Sequence, residues 1–269
     1  MKLAVCQIRT EIDQDETLEK AEKMIAEAAE NGAEIVALPE MFACPYSRKY
    51  FKICASLGHE KTLSAMKRWA RENKILLIGG SVPETADGKV YNTCFVIDEN
   101  GEVIARHRKI HLFEIDNRRM RFSEAATFEP GNEITVFDSK WGKIGVAICF
   151  DVHFPEIFRA MAMRGAKLAI LPAQFDAVLG APHWKPLAEC RADDNQIFFV
   201  GASAARHEEF SYKSLGHSLV VDPNGQIIAE CDEKEQILYA DIDFDMVEEA
   251  RKGLPIFNHL RQDVYTVAK

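Results

Sequence analysis

The chain has 269 residues, 47% of them hydrophobic and 28% charged, and carries a formal net charge of −9 at pH 7. That balance excludes a disordered chain. The acidic surface argues against a general nucleic-acid binder, because it repels a phosphate backbone. Length alone allows one large domain or two small ones.

The N-terminal apolar run is broken at Gln7 and Arg9, too early for a signal-peptide core. No stretch approaches the roughly 20 apolar residues of a membrane helix. The seven cysteines, Cys6, Cys44, Cys54, Cys94, Cys149, Cys190 and Cys231, are scattered and include no C-x-x-C pair. This pattern reads as a soluble protein of a reducing cytoplasm, with no disulfide framework and no structural zinc.

Taken in chain order, Lys2 to Ile8 reads as a buried strand. A helix follows from about Thr17 to Asn31, since Leu18, Ala21, Met24, Ile25, Ala28 and Ala29 recur at helical spacing. Glu34 to Leu38 is a second apolar strand, ended by Pro39. A helix is expected over Lys61 to Asn73 and a strand over Ile75 to Ile78. Two hairpins come next in type. Asn92–Asp98 turns at Glu99-Asn100-Gly101 into Glu102–His107, and Ser218–Val221 turns at Asp222-Pro223-Asn224-Gly225 into Gln226–Ala229. Between them lie strand Lys143–Ile148, helix Pro155–Arg164, strand Lys167–Leu171, helix Trp184–Asp194 and strand Ile197–Gly201. Helices alternating with strands, and hairpins among them, predict α/β layers with mixed sheets. With no linker or internal repeat, residues 1–269 read as a single domain.

Cys149 follows an apolar strand and precedes Phe150-Asp151, with a helix beginning near Pro155. A thiol at such a turn is exposed at a sheet end, beside backbone N–H groups able to stabilise an oxyanion. The same residue also fits a plain core cysteine. Glu40 ends a strand, where α/β sheets gather their active sites, and its carboxylate could take a thiol proton. A solvated loop glutamate would look the same. Lys109 belongs to the basic run Arg106-His107-Arg108-Lys109, one of whose cations could face an oxyanion, although charge runs are commonly solvated faces. His107 and His111 are four apart, but they follow a strand and lack a nearby third ligand, which argues against a metal site. The chain has no G-x-S-x-G elbow, P-loop or G-x-G-x-x-G motif. His183 and His217 are the candidates for a Cys-His dyad, with nothing in their flanks to single them out.

Leu38-Pro39-Glu40, Arg108-Lys109-Ile110-His111-Leu112-Phe113 and Gly145-Val146-Ala147-Ile148-Cys149-Phe150-Asp151 together resemble the nitrilase (carbon–nitrogen hydrolase) superfamily, in order and spacing, from about Lys2 to Tyr265. The resemblance implies a four-layer α-β-β-α sandwich and a Glu-Lys-Cys triad that needs neither cofactor nor metal. Glu40 would be the general base and Cys149 the nucleophile. Lys109, helped by the Phe150 N–H, would stabilise the tetrahedral intermediate. A second glutamate of the site matches Glu124, and Phe150, His153 and Phe175 would contact the substrate. The implied reaction is cleavage of a small-molecule amide through a thioester, in a homodimer or higher homo-oligomer. Met161, Met163 and Trp184 fit such an apolar interface, as they fit core packing.

Lys109 to Asp116, Gly180-Ala181-Pro182-His183-Trp184 and Arg191 to Gln196 look most like the omega-amidase branch, which hydrolyses dicarboxylic monoamides. Two positions depart from it. His153 stands where that branch has a carboxylate-binding arginine, and Leu179 where a threonine assists it. Arg118, Arg119 and Arg121 are candidate replacements, equally readable as a solvated basic loop. Alternatives are an N-carbamoyl amine or amino-acid hydrolase, a nitrile-cleaving enzyme, and a binding protein with a relic site.

Overall fold

The computed structural model describes residues 1–118 and 121–265. Its first half runs β1 (Lys2–Gln7), α1 (Gln14–Glu30), β2 (Ile35–Ala37), α2 (Arg48–Leu57), α3 (Glu60–Asn73), β3 (Leu76–Ile78), β4 (Val82–Ala86), β5 (Lys89–Ile97), β6 (Val103–Arg108), β7 (Glu114–Asp116) and β8 (Arg121–Ser123). The second half runs β9 (Thr135–Ser139), β10 (Gly142–Val146), α4 (Pro155–Met163), β11 (Ala166–Ala173), α5 (Ala181–Asn195), β12 (Phe198–Ser203), β13 (Leu219–Val221), β14 (Ile227–Glu230), β15 (Gln236–Asp241) and α6 (Asp245–Gly253).

Two large mixed sheets result. One has the order β15-β1-β2-β3-β5-β4, with β6 also on β5, and the other the order β14-β13-β12-β11-β10-β9. Parallel pairs occupy the middle of each, β1-β2-β3 in the first and β10-β11-β12 in the second, with antiparallel strands outside them. Strand alternation sorts the side chains of the first sheet between two cores. Leu3, Val5, Ile35, Ala37, Leu76 and Ile78 join the core shared with the second sheet. Ala4, Cys6, Val36 and Leu77 point the other way, onto Ala21, Ile25, Met66 and Trp69 of α1 and α3. On the far side, α4 and α5 cover β11 and β12 through Phe158, Met161, Trp184 and Ala188. The layers are therefore α-β-β-α, the architecture expected from the sequence.

Several elements escaped the sequence reading for definable reasons. Helix α2 buries only Phe51 and Cys54, too few to mark an apolar stripe. Strands β7 and β8 are three residues each, too short to show a period. Helix α5 starts at Ala181, ahead of the expected Trp184, because Pro182 suits a first helical turn. Met161 and Trp184 are closed into the core of the chain itself, at 0% and 1% exposure, and the Trp184 indole donates to His217 O at 2.7 Å. Neither is available to the interface considered above, whereas Met163 is half-buried.

Candidate active site

Strand ends deliver the reactive side chains to one point. The chain leaves β2 through Leu38-Pro39 and reaches Glu40. A Cβ on Gly80 would sit 2.2 Å from Pro39 O, so only glycine lets that neighbouring loop close against it. Lys109 follows β6, held by its own N–H to Asn92 O and by the Gly131 N–H to its carbonyl, both at 2.8 Å. Alternation explains why one cation of the basic run enters the site. Arg106 and Arg108 point outward to Glu84, each at 2.8 Å, while His107 and Lys109 point inward and are fully buried. Glu124 opens a 3₁₀ turn, Glu124–Ala126, just after β8.

Cys149 begins a second 3₁₀ turn, Cys149–His153, beyond the end of β10. Its φ is +46°, a left-handed conformation uncommon for a side-chain-bearing residue. The turn is closed by the Asp151 N–H donating to Ile148 O at 3.0 Å. Phe150, the next residue, lines the same cavity as Cys149.

Four groups meet here. The Lys109 ammonium is 2.8 Å from Glu40 Oε1 and 2.8 Å from Glu124 Oε2. The Asn92 amide donates to Glu40 Oε1 at 2.8 Å. The Tyr46 hydroxyl donates to Glu124 Oε1 at 2.9 Å and the Phe113 N–H to Glu124 Oε2 at 2.7 Å. Glu124 is thus held by several donors, whereas Glu40 Oε2 is buried without a hydrogen-bond partner. That carboxylate and the Cys149 thiol act on one another.

The electrostatics separate the roles. Burial raises the Glu40 carboxyl above its ordinary 4.5; the Lys109 charge opposes this and the Glu124 charge adds to it. The Cys149 thiol is pushed well above its ordinary 9.0 by burial and then by Glu40. Burial works against the Lys109 ammonium, but Glu124, Glu40 and Cys149 overcome it and keep the charge in place. The resting thiol therefore keeps its proton. A base with a raised pKa stands beside it to take that proton as a substrate is attacked.

Above Cys149 lies a cavity of about 220 Å³. Phe113, Ile115, Phe150, Phe175, Leu179 and Tyr212 make its apolar wall, and Glu114, His153, Gln174, Asp176 and His183 its polar part. The expected contacts Phe150, His153 and Phe175 all line it. The His153 and His183 rings lie 5.9 Å apart, and His153 stacks parallel to Phe175 at 6.0 Å. Burial, then His183 and Arg191, lower the His153 pKa below its ordinary 6.5.

Of the candidate arginines, Arg118 and Arg121 do not line the cavity. Arg118 is exposed, and Arg121 is an exposed residue 3.3 Å from Asp116. Arg119 lies outside the described residues. His217 is bonded to Glu230 at 2.9 Å, away from the cavity. Tyr46, Asn92, Gln174 and Tyr212 were not anticipated. Asn92 is a polar residue in a largely apolar strand, which is the signal that could have marked it, while Tyr46 and Tyr212 sit in loops without pattern.

A buried thiol with an adjoining carboxylate and ammonium, under a small cavity, is the equipment of a thiol-dependent hydrolase. Residues 2–252 match the Carbon-nitrogen hydrolase family model, and the chain belongs to that family. It is 41% identical over 267 residues to omega-amidase NIT2 of Xenopus tropicalis, covering 99% of this chain and 97% of that protein. Among solved structures it is similar to Nit3 of Saccharomyces cerevisiae, a member of branch 10 of the nitrilase superfamily. The TM-score is 0.90 at 36% identity, over 97% of this chain and 96% of the other. It is also similar to a variant amidase of Nesterenkonia sp. AN1 in which acrylamide has added to the active-site cysteine. Here the TM-score is 0.79 at 28% identity, over 97% of this chain and all of that one.

Proposed function

We propose that the protein is a cysteine-dependent amidase that hydrolyses the carboxamide of a small molecule to a carboxylic acid and ammonia. The carrying observation is the convergence of Glu40, Lys109 and Glu124 on Cys149 beneath the cavity. Glu40 takes the thiol proton as sulfur attacks the amide carbon. Lys109 and the Phe150 N–H receive the developing oxyanion. The proton passes from Glu40 to the leaving nitrogen, and ammonia departs from a thioester. Glu40 then deprotonates the water that splits the thioester, returning the proton to sulfur. Glu124 is the second carboxylate that fixes the ammonium, at 2.8 Å.

The test is ammonia release from a panel of short carboxamides, with mass spectrometry of the quenched enzyme. Wild type should release ammonia and carry an acyl adduct on Cys149. Release by a Cys149→Ala variant would remove the reading. Carbon dioxide from ureido substrates would point to carbamoyl hydrolysis instead.

A dicarboxylic monoamide is the finer reading of the substrate, supported by the omega-amidase relatives. Its carboxylate would be met by His153 and His183, since among the described residues the cavity wall holds no arginine or lysine. A cytoplasmic homodimer pairing through the α4–α5 face is the matching assembly, to be checked by light scattering at micromolar concentration. Among the described residues, no helix is long and apolar enough to cross a membrane.

A further inference from the structure

Asp151 stands two residues after Cys149, fully buried, and has no part in the bond-breaking steps above. Its two oxygens receive four donors. Oδ1 accepts from the His111 N–H and from His111 Nδ1, both at 2.9 Å. Oδ2 accepts from the Ile148 N–H at 3.0 Å and from His107 Nε2 at 3.2 Å. His107 and His111 bracket Lys109, and Ile148 directly precedes Cys149. One carboxylate therefore ties the segment bearing the ammonium to the turn bearing the thiol.

The proton positions follow from the partners. The Thr135 hydroxyl donates to Arg106 O at 3.2 Å, so towards His107 Nδ1, 3.0 Å away, it accepts. His107 is thus held at both ring nitrogens, at Nδ1 by Thr135 and at Nε2 by Asp151. Burial works against the Asp151 carboxylate, but the His107 and His111 hydrogen bonds overcome it and hold the carboxyl far below its ordinary range. The far end of the turn is gripped as well, since the His111 ring lies parallel on Phe154 with centroids 3.5 Å apart.

We propose that Asp151, with His107 and His111, is a positioning device that sets the Lys109 ammonium relative to the Cys149 sulfur. The proposal rests on the roles given above to Lys109 and Cys149. A left-handed φ at Cys149 needs the surroundings to hold it. The Ile148-to-Asp151 bond does this at the turn, and the two histidines carry the same anchor to Lys109. Asp151 does not line the cavity, so its effect falls on the chemical step.

The experiment uses the full chain with Asp151→Asn, His107→Leu and His107→Gln. An asparagine amide cannot accept at both positions, leucine removes the donor to Oδ2, and glutamine can restore it. The readouts are kcat and KM on an amide, and the rate at which iodoacetamide alkylates Cys149, with exposed Cys190 as internal standard. Asp151→Asn and His107→Leu should lower kcat roughly 100-fold, with KM within about threefold. Both should slow Cys149 labelling about tenfold relative to Cys190, as displacement of Lys109 leaves the thiolate less stabilised. His107→Gln should recover most of each loss. A kcat within about threefold of wild type in His107→Leu, or equal loss in His107→Leu and His107→Gln, would overturn the proposal. If Asp151→Asn does not fold, the His107 pair still decides. If the wild type cleaves no amide, it is the amidase reading that fails, and the labelling ratio alone then judges the positioning role.

Discussion

Lys109 is the only cation in contact with Glu40 and Glu124 among the described residues, so its removal should be felt in stability as well as rate. Lys109→Met leaves two carboxylates buried without a counter-charge, a loss of about 3–5 kcal/mol at neutral pH. The sign with pH is fixed by Glu40. Its carboxyl is already raised in the folded chain, and losing the ammonium raises it further. The protonated form is then favoured by folding, an advantage present at low pH and lost as pH rises through the folded pKa. Urea unfolding should show the variant nearest to wild type at pH 5.5 and furthest from it at pH 8. His153 is the residue to vary for specificity. A lowered pKa leaves its imidazole neutral at pH 7. Preference for a carboxylate-bearing monoamide over its uncharged methyl ester should therefore grow as pH falls through the His153 pKa. His153→Arg should raise that preference about tenfold at pH 8, read as a ratio of kcat/KM values. An unchanged ratio would mean that the distal end of the substrate does not meet this position.

At the scale of elements, the site depends on how closely loops approach strand ends. A Cβ on Gly131 would lie 2.1 Å from Arg108 O and 2.8 Å from Arg108 C, against backbone that cannot swing aside. Gly131→Ala must therefore move the end of β6, and Lys109 with it. The expected result is a fall in kcat of more than about tenfold, with about 1–3 kcal/mol lost from stability. Gly253→Ala, where nothing lies within 4 Å, is the control and should leave kcat unchanged. The elements themselves were largely legible in the sequence where an apolar face had a clear period, as in α1, α3 and the central strands. They were not legible where the reason for the conformation is remote. The β7–β8 ribbon has no period of its own, yet it places Glu124, whose N–H pairs with Phe113 O at 2.9 Å.

For the whole molecule, the shared core is decisive. Leu3, Ile35 and Ile78 of one sheet and Ile144, Ile170 and Val200 of the other belong to one buried cluster. The halves that supply Glu40 and Lys109 on one side and Cys149 on the other cannot separate without exposing it. We expect a single calorimetric transition in which both halves unfold together. A Phe199→Ala variant, cutting into that cluster, should cost about 3–5 kcal/mol and shift the whole transition. Two resolved transitions would show that the sheets are independent units.

The sequence by itself determined the mixed α/β class and most of the elements, and its resemblance to one family pointed to the four layers and to the four candidate site residues. Strand and helix periods are local properties, and Glu40, Lys109, Glu124 and Cys149 stand in short blocks with a recognisable order. Only the tertiary structure decided which way each side chain points and what it meets. Alternation along β6 sends Lys109 inward and Arg108 to Glu84, while β5 supplies Asn92 and the loop before α2 supplies Tyr46 to the carboxylates. Asp151 shows the difference most clearly. It was legible as a neighbour of Cys149, but its meaning lies in His107 and His111, which reach it only after two sheets have stacked. Contacts between residues some 40 positions apart in sequence are set by packing, and no local pattern encodes them.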